Sequence, residues 1–292
     1  MGQEDWSRWL DEDPGPDEPV DAEPEASVLQ LPRQQADEEP AVQTLRPRPI
    51  LVVGGCGGAG TTTTVLGLAA ALAAAGSDAV AVDATSAGGD LALRGADEVM
   101  HPTSLQAWMY GHGLDDPLPV DDCMSRSSSG AGLLWRDAGP LRRRASYVTV
   151  GRALAGAGYT PVYDGGNPIA ARQLRPLLDD PDIALVLTIP ARADAANRLR
   201  VTLEWLDDEL GDSQDYQGQG IVAETTIVVS HQLDGGEPAV ADHLKRNLSG
   251  WVREVTEIPY DPHLARGELI TYADLAASTH EAYSTLLQGV LT

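Results

Sequence analysis

The sequence predicts an α/β protein in which a three-layer, doubly wound and mostly parallel sheet carries helices on both faces. Short apolar runs, each long enough for one strand, alternate along the chain with longer segments of helical periodicity. The runs at 79–83, 160–164 and 183–189 are apolar almost throughout, as strands buried on both faces require. A glycine-rich turn follows the first run, at 50–53, and leads into an alanine- and leucine-rich helix. This alternation is typical of a parallel sheet covered by helices.

The remaining helices and strands are predicted from the periodicity of apolar residues and from the glycines and prolines that interrupt it. Thr103 or Ser104 is expected to cap a short helix, and Gly76 to end the helix after the glycine-rich turn. Residues 112–130 are polar and rich in glycine and serine, and they predict no element. Further helices are expected at 63–75, 105–109, 141–157, 194–210, 239–248 and 272–291, and further strands at 132–135, at 225–230 and just before 258.

The glycine-rich turn has the spacing of a phosphate-binding loop, G-x-x-x-x-G-K-[ST]. Glycines let backbone N–H groups wrap a phosphate, and the following helix adds its N-terminal partial positive charge. Thr62 stands where a hydroxyl reaches Mg²⁺, but Thr61 stands where the pattern has lysine, and Lys245 is the only lysine in the chain. The candidate nucleotide-binding residues of the loop are Gly55, Cys56, Gly57, Gly58, Ala59, Gly60, Thr61, Thr62 and Thr63.

The missing lysine changes the charge of the loop and leaves its glycines in place. A lysine contact to the β- and γ-phosphates is a charge-assisted bond worth about 1.5 to 3 kcal/mol. Its absence should weaken nucleotide binding and remove stabilisation of charge that develops in phosphoryl transfer. Two interpretations stay open: a surviving, weak cradle for ATP and Mg²⁺, or a remnant loop kept because the strand-to-helix turn needs glycine.

Composition excludes several classes of protein. The net charge of −24 argues against non-specific nucleic-acid binding, which needs a basic surface to displace counterions. No apolar run reaches the roughly 18 residues that a membrane span needs, and no signal peptide is recognised at the start of the chain. The two cysteines, Cys56 and Cys123, do not suggest a disulfide framework. We therefore expect a soluble, cytoplasmic protein.

Residues 1–46 form an acidic, proline-rich segment that precedes a domain at 47–292. Such a segment buries too little apolar surface to offset its ordering entropy, so we expect it to be a disordered tail. Trp6, Trp9 and Leu10 share helical spacing within it. They are either chance apolar residues or a short motif that docks on a partner protein.

From residue 50 onward the chain resembles the ParA/MinD family of deviant P-loop ATPases. The family's loop, K-G-G-x-G-K-[ST], corresponds here to residues 56–62, with cysteine and threonine at the two lysine positions. The family's D-x-D after the second strand is Asp83-Ala84-Thr85, which lacks the second aspartate, the residue that positions the attacking water in the family. Asp164 matches the Walker B aspartate, and Ser230 stands in place of the asparagine that contacts the base.

The resemblance implies a Mg²⁺ site and a base site. If a nucleotide binds, Thr62, Asp83 and Asp164 would hold Mg²⁺, directly or through water. Otherwise the two aspartates are strand-end acids that accept hydrogen bonds from neighbouring backbone amides. The family's I-P-x-D element near the base is retained at 258–261, which adds Pro259, Tyr260 and Asp261 to the candidate nucleotide-binding residues.

Within the family, the chain is most similar to the MinD-like proteins associated with actinobacterial type VII (ESX) secretion. Those proteins also have an acidic, proline-rich N-terminal tail. Their TLDWLD and P-[FY]-D-P-H-L segments are similar to residues 202–207 and 259–264, and the likeness continues at 279–283.

These observations leave two functional hypotheses. In the first, the chain is a non-catalytic or weakly nucleotide-binding family member that acts as a regulatory or scaffolding partner. It would form a homodimer or pair with a competent ATPase, and its tail would dock on the partner protein. In the second, it is an ATP-switched dimeric ATPase whose missing lysine comes from a partner subunit. Several motif positions are lost together, which favours the first hypothesis and a protein that is not an enzyme. The closing helix has no basic residue after Arg266, which argues against a membrane-anchoring tip.

Overall fold

The computed structural model describes residues 47–111, 118–141, 145–210, 220–235 and 239–291. The expected tail at 1–46, with Trp6 and Trp9, lies outside the described residues. Within them, eight strands form one sheet. The strands are β1 (Ile50–Gly54), β2 (Ala79–Asp83), β3 (Ser125–Arg126), β4 (Gly132–Leu134), β5 (Thr160–Asp164), β6 (Ala184–Pro190), β7 (Thr226–Ser230) and β8 (Glu254–Ile258).

The strand order is β3-β4-β2-β5-β1-β6-β7-β8, and every pairing is parallel except that of β3 with β4. β1 lies at the centre, with β5 on one side and β6 on the other. The chain leaves β1 toward one edge and later builds the other, so the carboxyl end of β1 is a topological switch point, where ligands of such sheets bind. The predicted three-layer, doubly wound sheet is confirmed.

The helices cover both faces of this sheet, as a parallel sheet requires. They are α1 (Thr61–Ala74), α2 (Leu91–Gly95), α3 (Leu105–Tyr110), α4 (Tyr147–Gly156), α5 (Arg175–Leu178), α6 (Ala193–Leu210), α7 (Gly220–Ala223), α8 (Ala239–Asn247), α9 (Pro262–Ala265) and α10 (Ala277–Leu291).

The structure corrects the starts of two expected helices and adds two elements that the sequence did not indicate. The closing helix does not begin at 272, because residues 272–274 form a 3₁₀ turn and the helix starts at Ala277. The helix expected at 141–157 begins at Tyr147, where the side chain of Ser146 accepts a hydrogen bond from the Thr149 N–H. Residues 112–130 do hold an element, the edge strand β3. The short helix α2 was not expected at all, since five residues are too few to show helical periodicity.

The closing helix α10 is fixed against α1, the helix that follows the glycine loop. A Cβ atom on Gly67 would lie 2.3 Å from Cζ of Tyr283, so only glycine lets this ring pack there. Tyr283 is fully buried, and its hydroxyl donates to the backbone oxygen of Thr63, 3.3 Å away. The C-terminal helix therefore supports the first turn after the loop.

We expect Gly67→Ala to destabilise the domain by about 1 to 3 kcal/mol, because the added methyl group overpacks the Tyr283 ring and outweighs the higher helix propensity of alanine. Urea unfolding followed by circular dichroism measures the change. Gly156→Ala is the control, since it adds the same methyl group in helix α4 with no heavy atom within 4 Å. Equal stabilities of the two variants would contradict the proposed close packing.

Candidate functional site

The glycine loop joins the end of β1 to the start of α1 and is formed as the sequence predicts. The N–H of Gly54 donates to the oxygen of Gly166 and that of Gly55 to the oxygen of Thr188, each at 2.8 Å. The loop's first residues are thus bonded to the segment just after β5 and to β6. Gly60 adopts φ +88° immediately before the helix, a conformation that favours glycine. The position and the turn geometry of the loop are thus set by its glycines.

The backbone of the loop offers unused hydrogen-bond donors. The described residues supply no acceptor for the N–H groups of residues 56–63, whereas the N–H of Thr64 already bonds to the Gly60 oxygen at 2.8 Å. N–H groups that converge on the first turn of a helix make an anion-binding concavity. The loop therefore has the donors of a phosphate cradle.

Thr61 lines the cleft, but its hydroxyl points toward β6. It is buried, and its hydroxyl lies 3.2 Å from the hydroxyl of Thr188 on β6. Cys56, at the other lysine position, is also buried, with 6% of its surface exposed. Both substituted positions are thus filled by small side chains packed into the protein, and neither presents a charge.

The predicted metal residues come together at the carboxyl ends of β2 and β5. Asp83 and Asp164 are register partners on these neighbouring strands, and both are fully buried. Oγ1 of Thr62 donates to Oδ2 of Asp164 at 2.6 Å. Burial raises the pKa of Asp164 to about 6; the nearby charge of Asp83 also raises it, and the Thr62 hydrogen bond lowers it.

Asp83 already has hydrogen-bond donors on both carboxylate oxygens. Oδ1 accepts from the N–H and the hydroxyl of Thr85, and Oδ2 accepts from the N–H of Gly89 at 2.7 Å. The described residues hold no cluster of three or more histidine, cysteine or carboxylate side chains suited to a metal. Thr62 and Asp164 offer hard oxygen ligands that fit Mg²⁺, which usually takes phosphate oxygens and waters as its remaining ligands.

The I-P-x-D residues line the same cleft as the loop. The cleft has a volume of about 740 Å³, and Pro259 and Tyr260 form part of its wall. The carboxylate of Asp261 has a structural role: it accepts the N–H of His263 at the start of α9 and the N–H of Ala276 before α10. Burial disfavours its charge, but these hydrogen bonds prevail and lower its pKa.

Several residues of the cleft were not anticipated from the sequence. Nε2 of Gln232 donates to the oxygen of Gly58 at 2.7 Å and so spans from the end of β7 to the loop. Two arginines, Arg94 and Arg192, also line the cleft. Sequence spacing gave no indication of them, because neither lies within a recognisable motif.

Solved structures with a similar fold include a ParA family ATPase and two MinD proteins. The ParA family ATPase from Chlorobium tepidum matches over 83% of this chain and 98% of its own, with a TM-score of 0.60 and 15% identity. The MinD protein of the Aquifex aeolicus MinC:MinD complex matches over 82% of this chain and 94% of its own, with a TM-score of 0.57 and 16% identity. Pyrococcus horikoshii MinD, solved with Mg-ADP, matches over 83% of this chain and 95% of its own, with a TM-score of 0.56 and 19% identity.

This chain has the fold of the ParA and MinD ATPases. No protein-family model matches the chain, and no characterised protein matches it by sequence. At such low identity the likeness concerns the fold, and the site must be judged on its own residues. The ParA/MinD fold accounts for the meeting of the loop, Asp83, Asp164 and residues 259–261 at one edge of the sheet.

Proposed function

We propose that the chain is a ParA/MinD-like protein that binds a nucleotide weakly, does not hydrolyse it, and acts as a regulatory or scaffolding partner of other proteins. One observation carries this proposal: the loop retains its free N–H groups and its Thr62–Asp164 pair, while Thr61 turns its small, uncharged side chain toward Thr188. The site thus keeps the means to bind phosphate and lacks the lysine that stabilises charge in the transition state.

A second feature supports the absence of hydrolysis. Thr85 stands where the resemblance expects the aspartate that positions water, and its hydroxyl donates to Asp83 at 2.6 Å. No carboxylate is therefore available at position 85 to orient an attacking water molecule.

The proposed partner is a protein, and one comparison supports that choice. In the solved Aquifex aeolicus complex, a MinD protein is bound to a second protein, MinC. No helix in the described ranges is both long and apolar enough to cross a membrane. The motif likeness at 202–207 and 259–264 is the basis for proposing a role beside type VII secretion or cellular positioning machinery.

The alternative, a lysine supplied by a partner subunit, is favoured by the openness of the loop. Gly57 and Gly58 are exposed, and a Cβ atom on either would meet no heavy atom within 4 Å. However, the chain's own lysine, Lys245, lies 2.6 Å from Glu257 in an ion pair. A second copy of this chain therefore offers no unpaired lysine, and the alternative requires a different, lysine-bearing ATPase.

We expect wild-type protein to bind ATP with Mg²⁺ and to release phosphate no faster than the buffer background. Isothermal titration measures the binding, and a phosphate-release assay measures the turnover. Gly58→Val should abolish binding, because it strains a loop residue at φ +72°. Gly250→Val is the matched control, with φ +78°, open space around its Cβ and a position outside the cleft. Turnover clearly above background, or equal binding by both variants, would contradict the proposal.

A further inference from the structure

Arg94 is held at the wall of the cleft by its backbone. It lies in the short helix α2, where its N–H donates to the oxygen of Asp90 at 2.8 Å. Its own backbone oxygen accepts the N–H of Ile270 at 2.7 Å, which ties α2 to the segment before the closing helix. Two backbone hydrogen bonds, one local and one to a distant segment, thus fix the position of the Arg94 backbone.

The short helix approaches the loop helix closely because of Gly95. A Cβ atom at this position would lie 2.3 Å from Cδ2 of Leu66, on α1, and 2.6 Å from Cδ2 of Leu133, on β4. Only glycine allows α2 to pack against the loop helix and the sheet at this distance. Arg94, the preceding residue, lines the same cleft as the first residues of α1.

Among the arginines with a buried, unpartnered Nε, only Arg94 has a guanidinium with no partner in the described part of the chain. Its Nε is buried and has no hydrogen-bond partner among the described residues, and none of their ion pairs includes it. Arg136 and Arg253 also bury an unpartnered Nε, but their terminal nitrogens bond to Gly139 and Glu224.

The second arginine of the cleft provides a contrast. Nε and Nη2 of Arg192 each donate to a carboxylate oxygen of Asp194, both at 3.1 Å. Its charge is therefore compensated within the protein. A buried donor on a charged side chain is costly when unpaired, so the state of Arg94 points to an anionic ligand in the cleft.

We propose that Arg94 supplies the positive charge that the loop lacks, and that it contacts the polyphosphate of the bound nucleotide. This inference rests on the proposed function, since it concerns the ligand of the same cleft. The loop N–H groups would bind one side of the phosphates and the guanidinium another, which arginine does well because its planar fork matches phosphate oxygens. In this arrangement the positive charge comes from a neighbouring helix and not from the loop.

The test compares two probes, ATP with Mg²⁺ and inorganic tripolyphosphate with Mg²⁺, by isothermal titration with the full chain. Arg94→Gln should weaken binding of both probes by about 10-fold or more, the usual size of a lost charge-assisted contact. Arg192→Gln, which removes a compensated charge from the same cleft, should change binding less than about threefold. Arg94→Lys should recover part of the loss, and so should Thr61→Lys in the Arg94→Gln background.

Each outcome separates the inference from the proposed function. If wild type binds ATP and Arg94→Gln binds it equally well, the inference is overturned and the proposed function stands. If wild type binds only tripolyphosphate, and needs Arg94 to do so, the contact between Arg94 and polyphosphate stands and the nucleotide is the wrong ligand. If wild type binds neither probe, both are overturned. Thermal unfolding of Arg94→Gln identifies a folding defect, and Arg94→Lys then decides the question.

Discussion

Thr61→Lys should bind ATP with Mg²⁺ roughly 10- to 150-fold more tightly than wild type, the equivalent of about 1.5 to 3 kcal/mol. The loop already has the turn and the free N–H groups that a phosphate needs, so only the charge is missing. The substitution sacrifices the Thr61–Thr188 contact at 3.2 Å, but the Thr188 hydroxyl still lies 3.4 Å from the oxygen of Val53.

Isothermal titration of wild type, Thr61→Lys and Thr63→Lys measures this effect. Thr63→Lys is the matched control, because it adds the same charge to the same cleft two residues further along α1. A general attraction between lysine and phosphate would tighten binding by both variants equally. If Thr61→Lys leaves binding unchanged, the loop has lost the shape of a cradle as well as its charge.

Phosphate release by Thr61→Lys should stay at background, because Thr85 cannot orient water as an aspartate would. Only the double variant Thr61→Lys with Thr85→Asp restores both features, and we expect its turnover to exceed that of either single variant. Equal turnover by Thr61→Lys and the double variant would show that position 85 has no part in the chemistry.

The sequence was sufficient to place the loop and the two aspartates, because these signals are local. The spacing of Gly55 and Gly60 identifies a strand-to-helix turn, and acids at the ends of apolar runs must meet at the carboxyl edge of a parallel sheet. The Thr62–Asp164 contact joins residues far apart in the chain, yet the topology of a parallel sheet makes it predictable.

The features that the sequence did not predict depend on tertiary packing. Arg94 lies in a five-residue helix without periodicity, and its position depends on Gly95 fitting against Leu66 and Leu133. The second structural contact of Asp261 is made with the N–H of Ala276, fifteen positions later. Such contacts cannot be predicted from a pattern in a single sequence, because each joins segments that are distant in the chain and meet only in the folded protein.

The conformations of the substituted residues were also beyond the sequence. Threonine at position 61 could have faced the cleft and donated to a phosphate. Its hydroxyl instead faces Thr188, which is apparent only once β6 is placed beside β1. This conformation supports the interpretation of a weakened cradle. The loop's remaining hydrogen-bond donors are backbone N–H groups, which do not depend on the side chain at position 61.

Asp164→Asn should stabilise the nucleotide-free protein, and by more at pH 8 than at pH 5. In the folded protein the pKa of Asp164 is raised from 3.8 to about 6, first by burial and then by the charge of Asp83. The folded state therefore binds a proton more tightly than the unfolded chain does. Stability falls as pH rises through the interval between the two pKa values, and the buried carboxylate costs about 3 kcal/mol above pH 7.

Asparagine removes this charge and retains the local hydrogen bonds. Its Oδ1 can accept from the N–H of Gly166, and its amide can donate to the hydroxyl of Thr62, which the carboxylate now accepts from at 2.6 Å. At pH 5 the native carboxyl is largely protonated, so the advantage of the substitution should fall to about half its value at pH 8. Urea unfolding at pH 8, 6.5 and 5 measures the trend.

The control for this series is Asp208→Asn, which removes the same charge from an exposed position on α6 and should change stability by less than about 0.5 kcal/mol at each pH. A gain from Asp164→Asn that does not depend on pH would show that the carboxylate is not strained by burial.

Titration with ATP and Mg²⁺ completes the argument, because Asp164→Asn should bind the complex more weakly than wild type while unfolding less readily. A stabilised protein with a weakened site is the result expected of a residue kept for its ligand and not for the fold.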